Sequence, residues 1–134
     1  MLALAGCGSG SGDGMTTGAA GTGTRPPIAG LQPTLASIQD NVFTPICTTC
    51  HGTSNPPQGL SLVAGASAGN LVNVPSPSNS SLIRVIPGNA DGSFLIQKLK
   101  GTQTQGDRMP RGGPYLDPST IDVISQWITN NATP

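Results

Sequence analysis

Two of the three cysteines and the only histidine occupy five consecutive positions, CTTCH, from Cys47 to His51. Three chemistries use a CxxC pair. A structural zinc site needs four Cys or His ligands, commonly supplied as two such pairs, and the one remaining candidate is Cys7, far upstream. A redox-active dithiol uses the same spacing to lower one thiol's pKa, but it follows a strand within a βαβ pattern; neither is legible before Cys47. Covalent haem attachment alone uses all three side chains: the thiols form thioethers with the haem vinyl groups and the adjacent imidazole ligates iron. Two intervening residues put the thiols near neighbouring vinyl carbons on one haem edge. The motif is read as haem c, one per chain, with a zinc clip and a dithiol or disulfide as the competing assignments.

Iron bound by one histidine has a second axial site, and its occupant decides between electron transfer and small-molecule chemistry. A second histidine is excluded by count. Met1 and Met15 precede the domain, which leaves Met109. Pro110 restricts Met109 to extended backbone, and Gly112 and Gly113 allow a tight loop around a ligand. The competing role for Met109 is ordinary loop packing, with the iron then open or water-bound; that outcome favours a gas sensor or a peroxidase.

The elements that must position these groups are few. Leu35, Ile38 and Val42 recur at helical spacing with Phe43 beside them, predicting a helix over 33–44 that Pro45 ends or kinks. A Gly, Ser, Asn and Pro-rich loop follows, in which Leu60, Leu62, Val72 and Val74 are candidate haem-wall residues or else minor core. LIRVI, Leu82 to Ile86, is too short to assign to strand or helix. Its Arg84 either snorkels or meets a haem propionate, and Tyr115 is a further candidate propionate contact. A helix is expected from about Asp91 to Lys100, stopped by Gly101. The last starts at Asp117 as N-cap with Pro118 in its first turn and carries Ile121, Ile124 and Ile128 on one face.

A helix leading into PICTTCHG (Pro45 to Gly52), the middle segment RVIPGNADGSFLIQKL (Arg84 to Leu99), RMPRGGP (Arg108 to Pro114) and a closing helix with ISQWI (Ile124 to Ile128) together resemble a bacterial monohaem c-type cytochrome domain. The resemblance covers about Leu31 to Thr133. It implies a mainly α fold: a small cytochrome c-like helical domain wrapped around a covalently attached haem, with long irregular loops. It also implies Met109 as the distal ligand, because such cytochromes place a Met-Pro pair between the middle and final helices. The first and last helices should cross with Trp127 at the crossing. The implied role is single-electron transfer between periplasmic or cell-surface redox proteins, without enzymatic activity of its own. This chain departs from the best-known small cytochromes in lacking a lysine-rich docking face and in its long polar loop after the haem motif.

Only four aromatic residues serve the region 31–134, and a porphyrin would supply the missing flat apolar body. Nine of the 19 glycines fall in the first 30 residues, so 8–30 reads as a flexible Gly/Ser/Thr linker of about 25–30 Å span and 31–134 as the domain. LAGC, Leu4 to Cys7, resembles a bacterial lipobox, making 1–7 a partial signal and Cys7 a lipidation site that ties the protein to a membrane. Gly8 after the cysteine resembles an outer-membrane address. Export to an oxidising compartment accords with the attachment chemistry. Net charge is zero, which argues against a nucleic-acid partner. Lys98, Lys100, Arg108 and Arg111 cluster around Asp107 as a solvated loop or a docking patch.

Overall fold

The computed structural model describes residues 23–134; the lipobox, with Cys7, and the linker as far as position 22 lie outside the described residues. Helix α1 (Leu35–Ile38) starts at Thr34, whose side chain accepts the Ser37 N–H. It runs into a π-helical turn (Gln39–Phe43) and then α2 (Thr44–Ile46). Pro45 therefore does not end the helix as its ring would in a regular α-turn. The wider turn absorbs it: the Thr44 N–H reaches back to the Gln39 carbonyl, and the Asn41 side-chain amide takes the Ser37 carbonyl at 2.8 Å. Ile38, Val42 and Phe43 are buried on the inner face.

After CTTCH the chain forms a long loop, α3 (Ser67–Leu71), and then an antiparallel hairpin of β1 (Pro75–Ser76) and β2 (Asn79–Ile83). LIRVI is thus split between the end of β2 and two isolated bridges, Val72 to Val85 and Ile86 to Asn89. Helix α4 (Phe94–Lys100) begins later than the Asp91 expected from sequence, because Ser93 ties the preceding turn, accepting from Ile86 N–H and donating to the Asn89 carbonyl. It ends at Gly101, whose φ of +82° is the left-handed cap that glycine adopts without steric cost. Helix α5 (Pro118–Thr129) begins at the Asp117 N-cap.

The mainly α, cytochrome c-like fold expected from the resemblance is overturned. The described residues are 38% helical and 12% strand, and the architecture is a few short helices beside a two-stranded antiparallel sheet. The physical cause lies in residues 74–83. Pro75 and Pro77 deny helical hydrogen bonds there, Asn79 accepts from the Ser81 backbone and hydroxyl, and an extended hairpin satisfies the remaining groups. The first helical segment and the last helix share one core, in which Ile38, Val42 and Phe43 are buried with Ile121, Ile124, Trp127 and Ile128. Helix α5 packs chiefly against α4, through a core shared by Ile96, Leu99, Ile121, Ile124 and Ile128. Trp127 lines a surface cavity of about 280 Å³ with Leu35 and Ala36 of α1, and its indole N–H donates to the Thr133 carbonyl at 2.9 Å. Burial of a side chain such as Phe43 or Ile124 contributes about 1.5–3 kcal/mol. No described helix is long and apolar enough to cross a membrane.

Asp117 accepts the Ser119 and Thr120 N–H groups at 2.9 and 3.3 Å. Burial pushes its carboxyl up, but these bonds and the two hydroxyls together outweigh burial and hold it below the ordinary carboxylate range. Asp117→Ala should lose about 1 kcal/mol in denaturant unfolding at neutral pH. Since the folded form binds its proton less readily than the unfolded chain, this contribution is present above the ordinary Asp range. It is lost as pH falls through and below that range, so variant and parent should converge in acid.

Candidate functional site

The motif sits where the first helical segment unwinds. Cys47–Thr49 forms a 3-10 turn in which Cys50 N–H and His51 N–H both return to the Cys47 carbonyl, at 3.1 and 2.8 Å. The two intervening threonines finish the helix end: Thr48 Oγ1 donates to the Thr44 carbonyl and Thr49 Oγ1 to the Ile46 carbonyl, satisfying acceptors that the last turn leaves open. Cys47, Cys50 and His51 are therefore carried by one continuous turn. Cys47 is a half-buried free thiol, pushed up to about 12 by burial, with the Arg25 charge pulling the other way. Cys50 is disulfide-bonded.

His51 is gripped by the returning loop. Its Nδ1–H donates to the Leu60 carbonyl at 2.9 Å, and the Leu62 N–H donates to the His51 carbonyl at 2.8 Å. A carbonyl only accepts, so Nδ1 carries the proton and Nε2 keeps its lone pair. Burial lowers the imidazole pKa most; the Leu60 bond opposes it, and the charges of Arg84 and Lys98 lower it further. A neutral ring with Nε2 unprotonated is the form that ligates a metal.

The 60–62 segment is held in turn by polar bonds from three directions. Gln39 Nε2 donates to the Leu62 carbonyl at 2.8 Å and to Thr44 Oγ1 at 3.0 Å, while Ser67 Oγ donates to Gln39 Oε1 at 2.6 Å. Asn70 Nδ2 donates to the Ser61 carbonyl. Arg84, buried, donates to the Asn70 and Gln58 carbonyls at 2.8 and 2.7 Å. Arg84 thus clamps the loop behind His51 with the donors that a propionate contact would also use.

Met109 is half-buried against the core, and its N–H donates to the Lys98 carbonyl at 2.9 Å. The same Lys98 has its ammonium on the Asp107 carbonyl at 3.0 Å, and its charge is felt by His51. One residue of α4 therefore anchors the methionine loop and lies within electrostatic reach of the histidine. The turn beyond Met109 runs through Gly112 and Gly113 at φ +80° and +71°. Among the candidate wall residues, Leu60, Val72 and Val74 are half-buried, whereas Leu62 is closed into the core. Tyr115 has the Arg108 guanidinium 4.1 Å from its ring centroid. Its backbone pairs with the 23–25 segment, which sequence assigns to the linker.

The residues fit a haem on three counts. His51 presents a neutral Nε2; the half-buried apolar side chains Ile46, next to the motif, Leu60, on the loop that holds His51, and Met109 pack on the core; and the Arg25 Nε is buried without an acceptor. Among the described residues no three His, Cys, Asp or Glu side chains form a metal-binding group. No family model, no curated protein and no solved structure matches this chain.

Sequence reasoning passed over Gln39 and Arg25 as site residues, and read Lys98 only as part of a basic cluster. Gln39 carried a signal: it lies four residues from both Leu35 and Phe43, so a polar side chain interrupts the apolar stripe. Gln39→Leu leaves the buried Leu62 carbonyl and Ser67 hydroxyl without their partner and should cost about 1–3 kcal/mol in chemical denaturation of the haem-free chain. Acidification tests His51. Its folded pKa lies below that of the unfolded chain, so its contribution is complete above the ordinary imidazole value of 6.5. It is lost as pH falls through that value, and His51→Gln should flatten that part of the stability profile.

Proposed function

We propose that this chain is a c-type haem protein that carries single electrons between redox proteins. The observation that carries the reading is the geometry of His51: the last residue of CTTCH spends Nδ1 on the Leu60 carbonyl and keeps Nε2 for iron. Cys47 and Cys50 would hold the haem by thioethers, and His51 and Met109 would be its iron ligands. The haem supplies one-electron chemistry at iron. The chain's own residues hold and orient it: Leu60 sets the imidazole tautomer, Gln39 and Arg84 fix the loop that bears Leu60, and Lys98 ties down the methionine loop.

Attachment needs reduced sulfur at both cysteines. The disulfide at Cys50 must first be opened by a dithiol reductant, whose two thiols become the new disulfide. The two thiols would then be free to add across the haem vinyl C=C bonds, sulfur to one carbon and hydrogen to the other, with no net oxidation. Thioether sulfur opposite imidazole raises the reduction potential relative to bis-histidine haem and leaves no vacant site for substrate. Export and lipid anchoring at Cys7 complete the proposal, placing the carrier at a periplasmic or cell-surface membrane face.

Expression in a host with cytochrome maturation machinery should give coloured protein with one haem per chain by pyridine haemochrome assay. The ferric spectrum should show the far-red sulfur-to-iron band, and Met109→Ala should abolish it. Rapid carbon monoxide binding by the untreated ferrous protein would instead assign an exchangeable sixth site, as in a sensor or peroxidase.

A further inference from the structure

Most basic side chains among the described residues have evident partners. Arg84 donates to two loop carbonyls, Lys98 to the Asp107 carbonyl, and Arg108 to the Leu99 carbonyl while lying over Tyr115. Lys100 stands 4.0 Å from Asp91, and Arg111 2.7 Å from Asp107. The cluster at 98–111 is thus largely consumed by the fold.

Arg25 differs. Its Nε is sealed from solvent and has no hydrogen-bond partner. A buried guanidinium N–H without an acceptor is unfavourable unless an anion completes it. Nor does the residue swing with a linker: its N–H donates to the Tyr115 carbonyl at 2.7 Å, the Tyr115 N–H donates to the Gly23 carbonyl at 2.8 Å, and Thr24 bridges to Tyr115 in parallel. Tyr115 lies six residues after Met109, so this pairing pins Arg25 beside the end of the methionine loop, and the Arg25 charge also pulls on the Cys47 thiol. The group that needs a counter-ion there carries two carboxylates.

We propose that Arg25 is a haem-propionate anchor, its planar fork donating from Nε and one Nη to the two oxygens of a single propionate. This rests on the haem attachment proposed above. The 23–28 segment then belongs to the cofactor site and is more than a lead-in to the domain. An arginine suits the role better than a lysine, because only the guanidinium offers two parallel donors.

The test uses the full chain with haem attached. Resonance Raman of the ferric protein reads the propionate bending band, and redox titration reads the midpoint potential. Arg25→Gln should shift the band and lower the potential while keeping one haem per chain and the far-red sulfur band. Arg111→Gln, which removes the same charge from the neighbouring loop, should leave the propionate band in place. An unmoved band in Arg25→Gln, or the same shift in both variants, overturns the assignment. Parent protein without haem would overturn the function reading, and this assignment with it; haem-loaded parent with an unmoved band in the variant overturns the role of Arg25 alone.

Discussion

The hydrogen bond from His51 Nδ1 to the Leu60 carbonyl is the constraint on which the site depends. It decides which ring nitrogen bears the proton, and so which one is available to a metal. A single bond of this kind contributes only about 1 kcal/mol net, too little to order a polar loop by itself. The fold meets the shortfall with a relay of further bonds. Leu62 N–H closes on the His51 carbonyl, Gln39 holds the Leu62 carbonyl, Ser67 holds Gln39, and Arg84 spans Gln58 and Asn70. Removing one member leaves the others buried and unpaired, so the network is rigid as long as it is complete.

The same economy runs through the rest of the molecule. The helices are short, and the segment from His51 to α4 is held more by side-chain-to-backbone bonds than by repeating ladders. The π-helical turn at Gln39–Phe43 serves both purposes at once: it accommodates Pro45, and it carries the Gln39 that holds the loop behind the histidine. Helix α4 unites the two proposed axial ligands. It is seated in the core by Ile96 and Leu99, holds Met109 through the Lys98 carbonyl and bears a charge felt by His51. Neither His51 nor Met109 therefore hangs on a free loop.

What could be read from the chain was the local chemistry. Asp117 with Pro118, Gly101, and the spacing of Ile121, Ile124 and Ile128 each act within a turn or two, and the structure has the helix start, stop and buried face there. CTTCH is local as well. The hairpin at 75–83 was missed because its residues are neither strongly alternating nor strongly apolar, and Pro75 and Pro77 read as loop. The loop-holding bonds of Gln39 and Arg84 were out of reach for a different reason: their partners lie far away along the chain, Ser67 at 28 residues from Gln39 and Gln58 at 26 from Arg84. Periodicity cannot report such pairings, since each is decided only when the loop has closed. The resemblance to c-type cytochromes misjudged the architecture, because it did not foresee the hairpin at 75–83.

Intact mass spectrometry of mature protein, after reduction and thiol alkylation, bears most directly on the central claim. A chain heavier by one haem, with Cys47 and Cys50 both refractory to the alkylating reagent, is the predicted result. A chain without the added macrocycle, alkylated at both positions, would contradict it.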